Sequence, residues 1–182
     1  MHPITPPPQN LSNFETALTG GHPNSLGNTI LVVQEVLQNS ERIQQLFDCY
    51  FSKDEIVRLR VSNAFKRIAK EKPELVVPFL DLFINKISKI NQASTQWTFA
   101  QLFMILDKFV TEKQRLEVVQ ILKSNLINCT DWIVLNFTME ALVGYSTKYS
   151  ELKPWLKIQL ERLAKDTRKS VASRANKYLK LV

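Results

Sequence analysis

Glycine is scarce in this chain, with four residues among 182, at Gly20, Gly21, Gly27 and Gly144. Sheet-rich folds usually need glycine in their tight turns, so its scarcity favours helices. These four positions also cannot be assembled into the glycine pattern of a dinucleotide-binding or phosphate-binding loop. The sequence therefore points away from the common nucleotide-binding folds.

Histidine and cysteine, which are common in catalytic and metal sites, are scarce as well: the chain has two of each. His2 and His22 lie outside any helical pattern, and Cys49 and Cys129 are far apart. No His/Cys or Ser/His/Asp arrangement follows from their spacing, and neither HExxH nor CxxC occurs. The sequence therefore predicts a protein that is not an enzyme and that binds no cofactor or metal.

Long apolar runs are absent too, since none reaches the roughly 18 residues that a membrane-spanning helix needs. Residues 1–10 have neither the basic nor the apolar segment of a secretory signal. Two isolated cysteines are typical of a reducing compartment. We expect a cytoplasmic protein.

The net charge of +7 is unevenly distributed. Residues 1–50 contain one basic and four acidic residues, whereas residues 111–182 contain thirteen basic and seven acidic ones. Such a gradient can attract an anionic partner, and it is equally typical of a solvated surface.

Hydrophobic periodicity predicts helices along most of the chain. Residues 1–10 form a predicted flexible proline-rich arm, and residues 11–182 a predicted single domain. A short amphipathic segment at 11–18 precedes nine helices with very short breaks, which makes neighbours antiparallel. The predicted ranges are 28–38, 41–52, 54–71, 73–89, 92–110, 112–128, 131–148, 150–165 and 167–181. Asp54, Asp131 and Thr167 are predicted N-caps, and Pro73 suits a first turn.

The helices repeat along the sequence. The segment that begins at Asp54 aligns without gaps with the one that begins at Asp131, with similar segments in between and after. The equivalent positions Ala64, Leu102, Ala141 and Ala175 are separated by 38, 39 and 34 residues. A helix-pair period of this length belongs to α-solenoids, in which stacked pairs bury one continuous core.

The pattern Asp-x-x-Val-Arg-x-x-x-x-x-Ala, formed by Asp54, Val57, Arg58 and Ala64, resembles a HEAT repeat. The resemblance covers about residues 28–182, and the chain is similar to small bacterial HEAT-repeat proteins of the armadillo type. It implies an all-α, right-handed superhelical solenoid of about four to five antiparallel helix pairs. It also implies a binding scaffold that holds a protein or peptide partner on its concave face.

In that family the second helix of each pair lines the concave face, which here implies 54–71, 92–110, 131–148 and 167–181. In the first of these, helical spacing puts five apolar residues on the core side: Val57, Val61, Ala64, Phe65 and Ile68. Its opposite side shows Ser62, Asn63, Lys66 and Lys70, flanked by Arg60 and Arg67. The predicted partner-binding residues are Asn63, Lys66, Lys70, Trp97, Gln101, Met104, Asn136, Glu140, Arg174 and Lys177. We expect an apolar, amide-rich middle with basic ends.

Two interpretations of Trp97 and Met104 stay open. Both residues could belong to a wide apolar core, because inner helices of a solenoid are packed on several sides. Alternatively, Trp97 is an exposed anchor for a partner helix or peptide, a role in which aromatic residues are common.

The basic C-terminal helix also has two interpretations. Lys169, Arg174, Lys177 and Lys180 could contact a nucleic-acid backbone, or they could keep a terminal repeat soluble. A third hypothesis comes from HEAT-like DNA glycosylases, which use concave-face tryptophans and an aspartate. Trp97, Trp132 and Asp131 are the residues available, but the last two are adjacent at a predicted helix start, so no catalytic residue is transferred.

Overall fold

Every regular element among the described residues is helical. The computed structural model describes residues 11–22 and 24–182, and no strand occurs among them. The prediction of an all-α fold is thereby confirmed. The predicted arm, residues 1–10, lies outside the described residues.

The chain divides into two compact units, Met1–Pro78 and Phe79–Val182. In its described part the first unit contains the helices α1 (Phe14–Leu18), α2 (Thr29–Gln38), α3 (Ile43–Asp48) and α4 (Glu55–Glu71). Short 3-10 turns occur at Ser40–Arg42, Cys49–Phe51, Pro73–Leu75 and Val77–Phe79. The prediction that residues 11–182 form one domain stays a prediction.

Three predicted helices are broken into shorter pieces: 41–52, 73–89 and 92–110, the last of which ends in the 3-10 turn Asp107–Phe109. The first becomes α3 between two 3-10 turns. In the second, Pro78 lies inside a 3-10 turn because proline has no amide hydrogen for a helical hydrogen bond and its ring crowds the preceding turn. Proline therefore explains the interruption just before Leu80.

Helix α4 is the centre of the first unit, and α1, α2 and the Cys49–Phe51 turn pack against it. The Asp54 carboxylate accepts a hydrogen bond from the amide of Ile56, which confirms the predicted N-cap. All five residues predicted for its core side are fully buried: Val57, Val61, Ala64, Phe65 and Ile68. Helical periodicity was thus sufficient to find this face.

Arg60, which the sequence put beside the polar side of α4, is instead buried, with 2% of its surface exposed. Its guanidinium donates to the carbonyls of Leu18 (2.6 Å), Thr19 (3.3 Å) and Ser25 (3.3 Å). A Cβ added at Gly27, whose φ is +50°, would come within 2.8 Å of Arg60 Cζ. Thr19, Ser25 and Gly27 therefore lie against this arginine, which caps the carbonyl end of α1.

The second unit contains six α-helices: α5 (Leu80–Asn85), α6 (Ala93–Ile105), α7 (Glu112–Asn128), α8 (Trp132–Ser146), α9 (Leu152–Leu163) and α10 (Lys169–Tyr178). Two 3-10 turns, Ile87–Lys89 and Asp107–Phe109, follow α5 and α6. The bounds of α7 equal the predicted ones, and those of α8 and α9 lie within two residues of them.

Capping side chains define the start of two of these helices, α7 and α8. The Asp131 carboxylate accepts from the amides of Ile133 (2.8 Å) and Val134 (3.0 Å), which confirms the second predicted N-cap. The predicted cap at Thr167 is wrong, since α10 begins one residue later than that cap would require and has no side-chain cap. Instead, hydrogen bonds from the side chain and amide of Arg168 lower the pKa of Asp166 to about 2.

Helix α8 is the most connected element of the second unit, because α6, α7, α9 and α10 all contact it. Hydrogen bonds between helices join residues one repeat apart. Tyr145 donates to the Phe103 carbonyl 42 residues earlier, and Arg162 to the Leu126 carbonyl 36 residues earlier. Both bonds span a sequence separation close to that of the sequence repeat.

Candidate functional site

One stripe of α8 is left uncovered by its neighbours. Ile133, Phe137 and Glu140 are partly exposed and Gly144 is exposed, whereas the residues between them are buried. These positions are three or four residues apart, so they lie on one side of the helix. This stripe borders a depression on each of its two flanks.

The first depression lies between α8 and α6. It has a volume of about 220 Å³ and is lined by Met104, Asp107, Ala141, Gly144, Tyr145 and Lys148. A Cβ added at Gly144 would meet no atom within 4 Å. The depression is therefore open above this glycine.

Helix α6 contributes Trp97, Gln101 and Met104 to the same side. All three are partly exposed and follow one another at helical spacing. Met104 lines the depression beside Gly144, which puts the stripe of α6 on the same side as that of α8. The Gln101 Oε1 atom is buried and accepts no hydrogen bond from the described residues.

The second depression, the α8–α10 cleft, has a volume of about 430 Å³. Its lining is Phe137, Glu140, Ser170, Ser173, Arg174, Lys177 and Tyr178. Arg174 Nη1 donates to Glu140 Oε2 at 3.1 Å across the cleft. Burial raises the pKa of the Tyr178 hydroxyl, and the charge of Glu140 adds to the rise, so the phenol stays protonated.

Together these residues form what we call the open face: Trp97, Gln101, Met104, Phe137, Glu140, Gly144, Arg174 and Lys177. It is continuous because the α8 stripe lines both depressions. Its α6 end is apolar with an amide, and its α10 end is basic. The structure thus brings six of the predicted partner-binding residues to one side of the second unit: Trp97, Gln101, Met104, Glu140, Arg174 and Lys177.

Asn136 is the exception, since only 5% of its surface is exposed and its Oδ1 has no described hydrogen-bond partner. The prediction that Asn136 contacts a partner at the surface is therefore wrong. The partly exposed residue in that turn of α8 is its neighbour Phe137. The sequence missed Phe137 because α8 is apolar on nearly every side, so hydrophobicity does not distinguish its faces.

The remaining predicted residues belong to α4 in the first unit. Asn63 and Lys66 are partly exposed, Lys70 is exposed, and the Asn63 amide donates to the Leu59 carbonyl. Burial lowers the pKa of Lys66, and the neighbouring charges of Lys70 and Arg67 lower it further. These cations therefore repel one another along one helix.

The basic residues predicted to contact nucleic acid lie along α10 and just after it. Lys169, Lys177 and Lys180 are exposed and form no ion pair with any described residue. Arg174 differs because it already pairs with Glu140. Three uncompensated lysines therefore remain at this edge.

A network of charged side chains lies at the end of the open face away from α10, beside the depression between α6 and α8. Asp107 accepts from Arg115 Nε at 3.0 Å and from the ammonium of Lys148. Burial alone would raise the pKa of Asp107, but these hydrogen bonds and the two positive charges lower it. Arg115 also donates to Glu112, which accepts from Tyr149. This network connects the end of α6, the start of α7 and the end of α8.

The residues considered for glycosylase chemistry do not converge. The Asp131 carboxylate caps α8, and Trp132 at the first position of that helix is 48% exposed. Among residues 11–22 and 24–182, no three His, Cys, Asp or Glu side chains are grouped so as to hold a metal ion. Within the same part of the chain, every helix is too short or too polar to cross a bilayer.

No protein-family model matches the chain, and no curated protein matches it significantly. The HEAT resemblance therefore rests on this chain's own residues.

Proposed function

We propose that this chain is a non-catalytic binding scaffold, built as a right-handed α-solenoid of HEAT-like helix pairs. The regular spacing of contacts in the second unit supports this architecture: Gln114 bonds Asp81 33 residues away, and Arg174 bonds Glu140 34 residues away. The contacts of α8 support it as well, because α8 packs against α6 and α10 in addition to its sequence neighbours α7 and α9. In a solenoid of this kind the open face is the concave side.

The observation that carries the proposal is the composition of the open face. Trp97, Met104 and Phe137 are apolar side chains that the unit leaves partly exposed on one continuous surface. Exposed aromatic and methionine side chains around a groove are typical of surfaces that bind a peptide or helix. We therefore propose that the open face holds a protein segment.

The charges on this face favour a protein over a nucleic acid. In the two depressions of this face, Lys148 and Arg174 are already paired with the carboxylates of Asp107 and Glu140. A phosphate backbone would meet both carboxylates, and Lys177 is the open-face cation that has no described ion-pair partner. A segment that combines apolar and acidic residues fits better, since it can contact Trp97 and Lys177 together.

Selection from a random 16-residue peptide display library tests this function. Wild type should enrich peptides with apolar and acidic residues. Gly144→Phe, which fills the α6–α8 depression, should abolish the enrichment, whereas Gly144→Ala should retain it because its methyl group meets nothing. Equal enrichment by wild type and the Phe variant would refute a role for the open face.

Binding of nucleic acid is the second candidate, and the charge of the second unit favours it. Residues 79–182 contain sixteen basic and nine acidic residues, which accounts for the whole net charge of +7. If this surface binds DNA, the affinity for a duplex should fall steeply as salt rises, because bound counterions are released. Replacing Lys169, Lys177 and Lys180 by Gln should reduce that salt dependence. An affinity that does not change with salt would exclude this candidate.

Both cysteines are free, Cys49 buried and Cys129 partly so. Because thiols stay reduced in the cytoplasm, free cysteines fit the cytoplasmic location that we propose for this protein.

A further inference from the structure

The ion pair in the α8–α10 cleft is poorly placed to stabilise the fold. The side chains of Glu140 and Arg174 are 43% and 37% exposed, and a single hydrogen bond of 3.1 Å joins them. Exposed pairs of this kind contribute little to stability because water competes for both groups. Glu140 can therefore be displaced from Arg174 at low cost.

Further donors surround the same position. Lys177 lines the cleft without a described ion-pair partner, and the hydroxyls of Ser170 and Ser173 lie on the exposed side of α10. Tyr178 adds a protonated phenol. The cleft thus offers several donors and two cations around a single carboxylate.

We propose that the α8–α10 cleft binds a carboxylate of an acidic partner segment, which replaces Glu140 as the acceptor for Arg174. This inference rests on the proposed function and specifies the chemistry of its partner. A carboxylate is the group that the guanidinium already holds, and an arginine can bind it through two parallel hydrogen bonds instead of one. Phe137, in the wall of the cleft, supplies apolar contact for the stem of an Asp or Glu side chain.

In this arrangement Glu140 competes with the ligand carboxylate for Arg174. Competition has a measurable consequence that a purely structural role of Glu140 would not have. Removing the charge of Glu140 should tighten binding of a carboxylate ligand, whereas removing that of Arg174 should weaken it. If the pair only stabilised the fold, both substitutions would leave affinity unchanged or reduce it together. The opposite signs distinguish the two roles.

Fluorescence anisotropy with labelled decaglutamate as the probe tests this inference. Glu140→Gln should lower the dissociation constant about three- to fivefold, the upper part of the range expected for an exposed ion pair. Arg174→Gln should raise it at least as much. Each variant has a matched control on the exposed side of α9: Glu161→Gln and Lys157→Gln change the net charge equally and should change affinity by less than about half as much.

Equal effects of Glu140→Gln and Glu161→Gln would overturn the inference, since binding would then follow net charge alone. Tighter binding of single-stranded dT10 than of decaglutamate, with the same dependence on Arg174 and Glu140, would also overturn it in favour of a phosphate ligand. Neither result affects the peptide selection with Gly144→Phe. Failure of the cleft chemistry is therefore distinguishable from failure of the proposed function.

Discussion

The two units use the same helix position in opposite ways. Six residues after the capping aspartate, α4 has Arg60 and α8 has Phe137. The arginine is buried and donates to the carbonyls of Leu18, Thr19 and Ser25, whereas the phenylalanine is partly exposed and lines a cleft. The segment packed against a helix, and not the polarity of the residue, decides which position becomes core.

The two units also differ in net charge. Residues 1–78 contain eight basic and eight acidic residues, while the second unit has the entire net positive charge. One of the eight basic residues, Arg60, is moreover buried. The first unit thus buries one of its cations, whereas three lysines of the second unit, Lys169, Lys177 and Lys180, stay exposed without a described ion-pair partner.

Arg60→Ala should have the largest effect, because it leaves the carbonyls of Leu18, Thr19 and Ser25 without their donor. We expect a loss of about 3 kcal/mol in the free energy of unfolding, measured by urea denaturation. Hydrogen exchange should show the loss around α1 and α4. The matched variant Arg67→Ala, on the exposed side of α4, should change stability by less than about 0.5 kcal/mol. Similar effects of both variants would contradict the burial of Arg60.

Glycine substitutions should also have opposite effects in the two units. Gly27→Ala should destabilise by about 1–3 kcal/mol, since φ is +50° there and the new methyl group collides with the Arg60 guanidinium.

Gly144→Ala should stabilise the second unit by about 0.5–1 kcal/mol, because Gly144 lies within α8 and its Cβ would meet no atom. Thermal denaturation of both glycine variants measures the difference. A destabilising Gly144→Ala would mean that the space beside α8 is filled.

Acid should weaken the second unit through Asp107, by a smaller amount. Because hydrogen bonds from Lys148 and Arg115 outweigh burial and lower its folded pKa, Asp107 stabilises the fold above its unfolded pKa of about 3.9. That contribution disappears as pH falls through the folded pKa. Asp107→Asn should therefore cost less than about 1 kcal/mol at pH 7 and nothing at the lowest pH. A cost independent of pH would contradict this assignment.

Sequence alone predicted the helices well where side chains signal their ends. Helix α7 has the predicted bounds, and Thr111 and Gln114 form a reciprocal capping box at its start. The prediction of a helix start from the sequence failed at α10. There the expected Thr167 cap is replaced by the contact between Asp166 and Arg168. Capping side chains define the starts of α1, α4, α7 and α8, but a competing pair of neighbours can displace an expected cap.

Side-chain exposure was less predictable than helix position. Asn136 is buried and Phe137 is partly exposed, the reverse of what their polarity suggests. Arg60 is buried only because a loop about forty residues earlier in the chain supplies carbonyls to it. Such contacts depend on tertiary packing, which periodicity within one helix does not report.

The three tryptophan indoles report most directly on whether the open face binds a partner. Trp97 lies on that face, Trp132 begins α8, and Trp155 packs under the ammonium of Lys123. In a ¹H–¹⁵N NMR titration with a peptide from the display selection, we predict that the Trp97 indole signal shifts while the Trp132 and Trp155 signals stay in place. A shift of Trp132 or Trp155 with Trp97 unchanged would contradict the account.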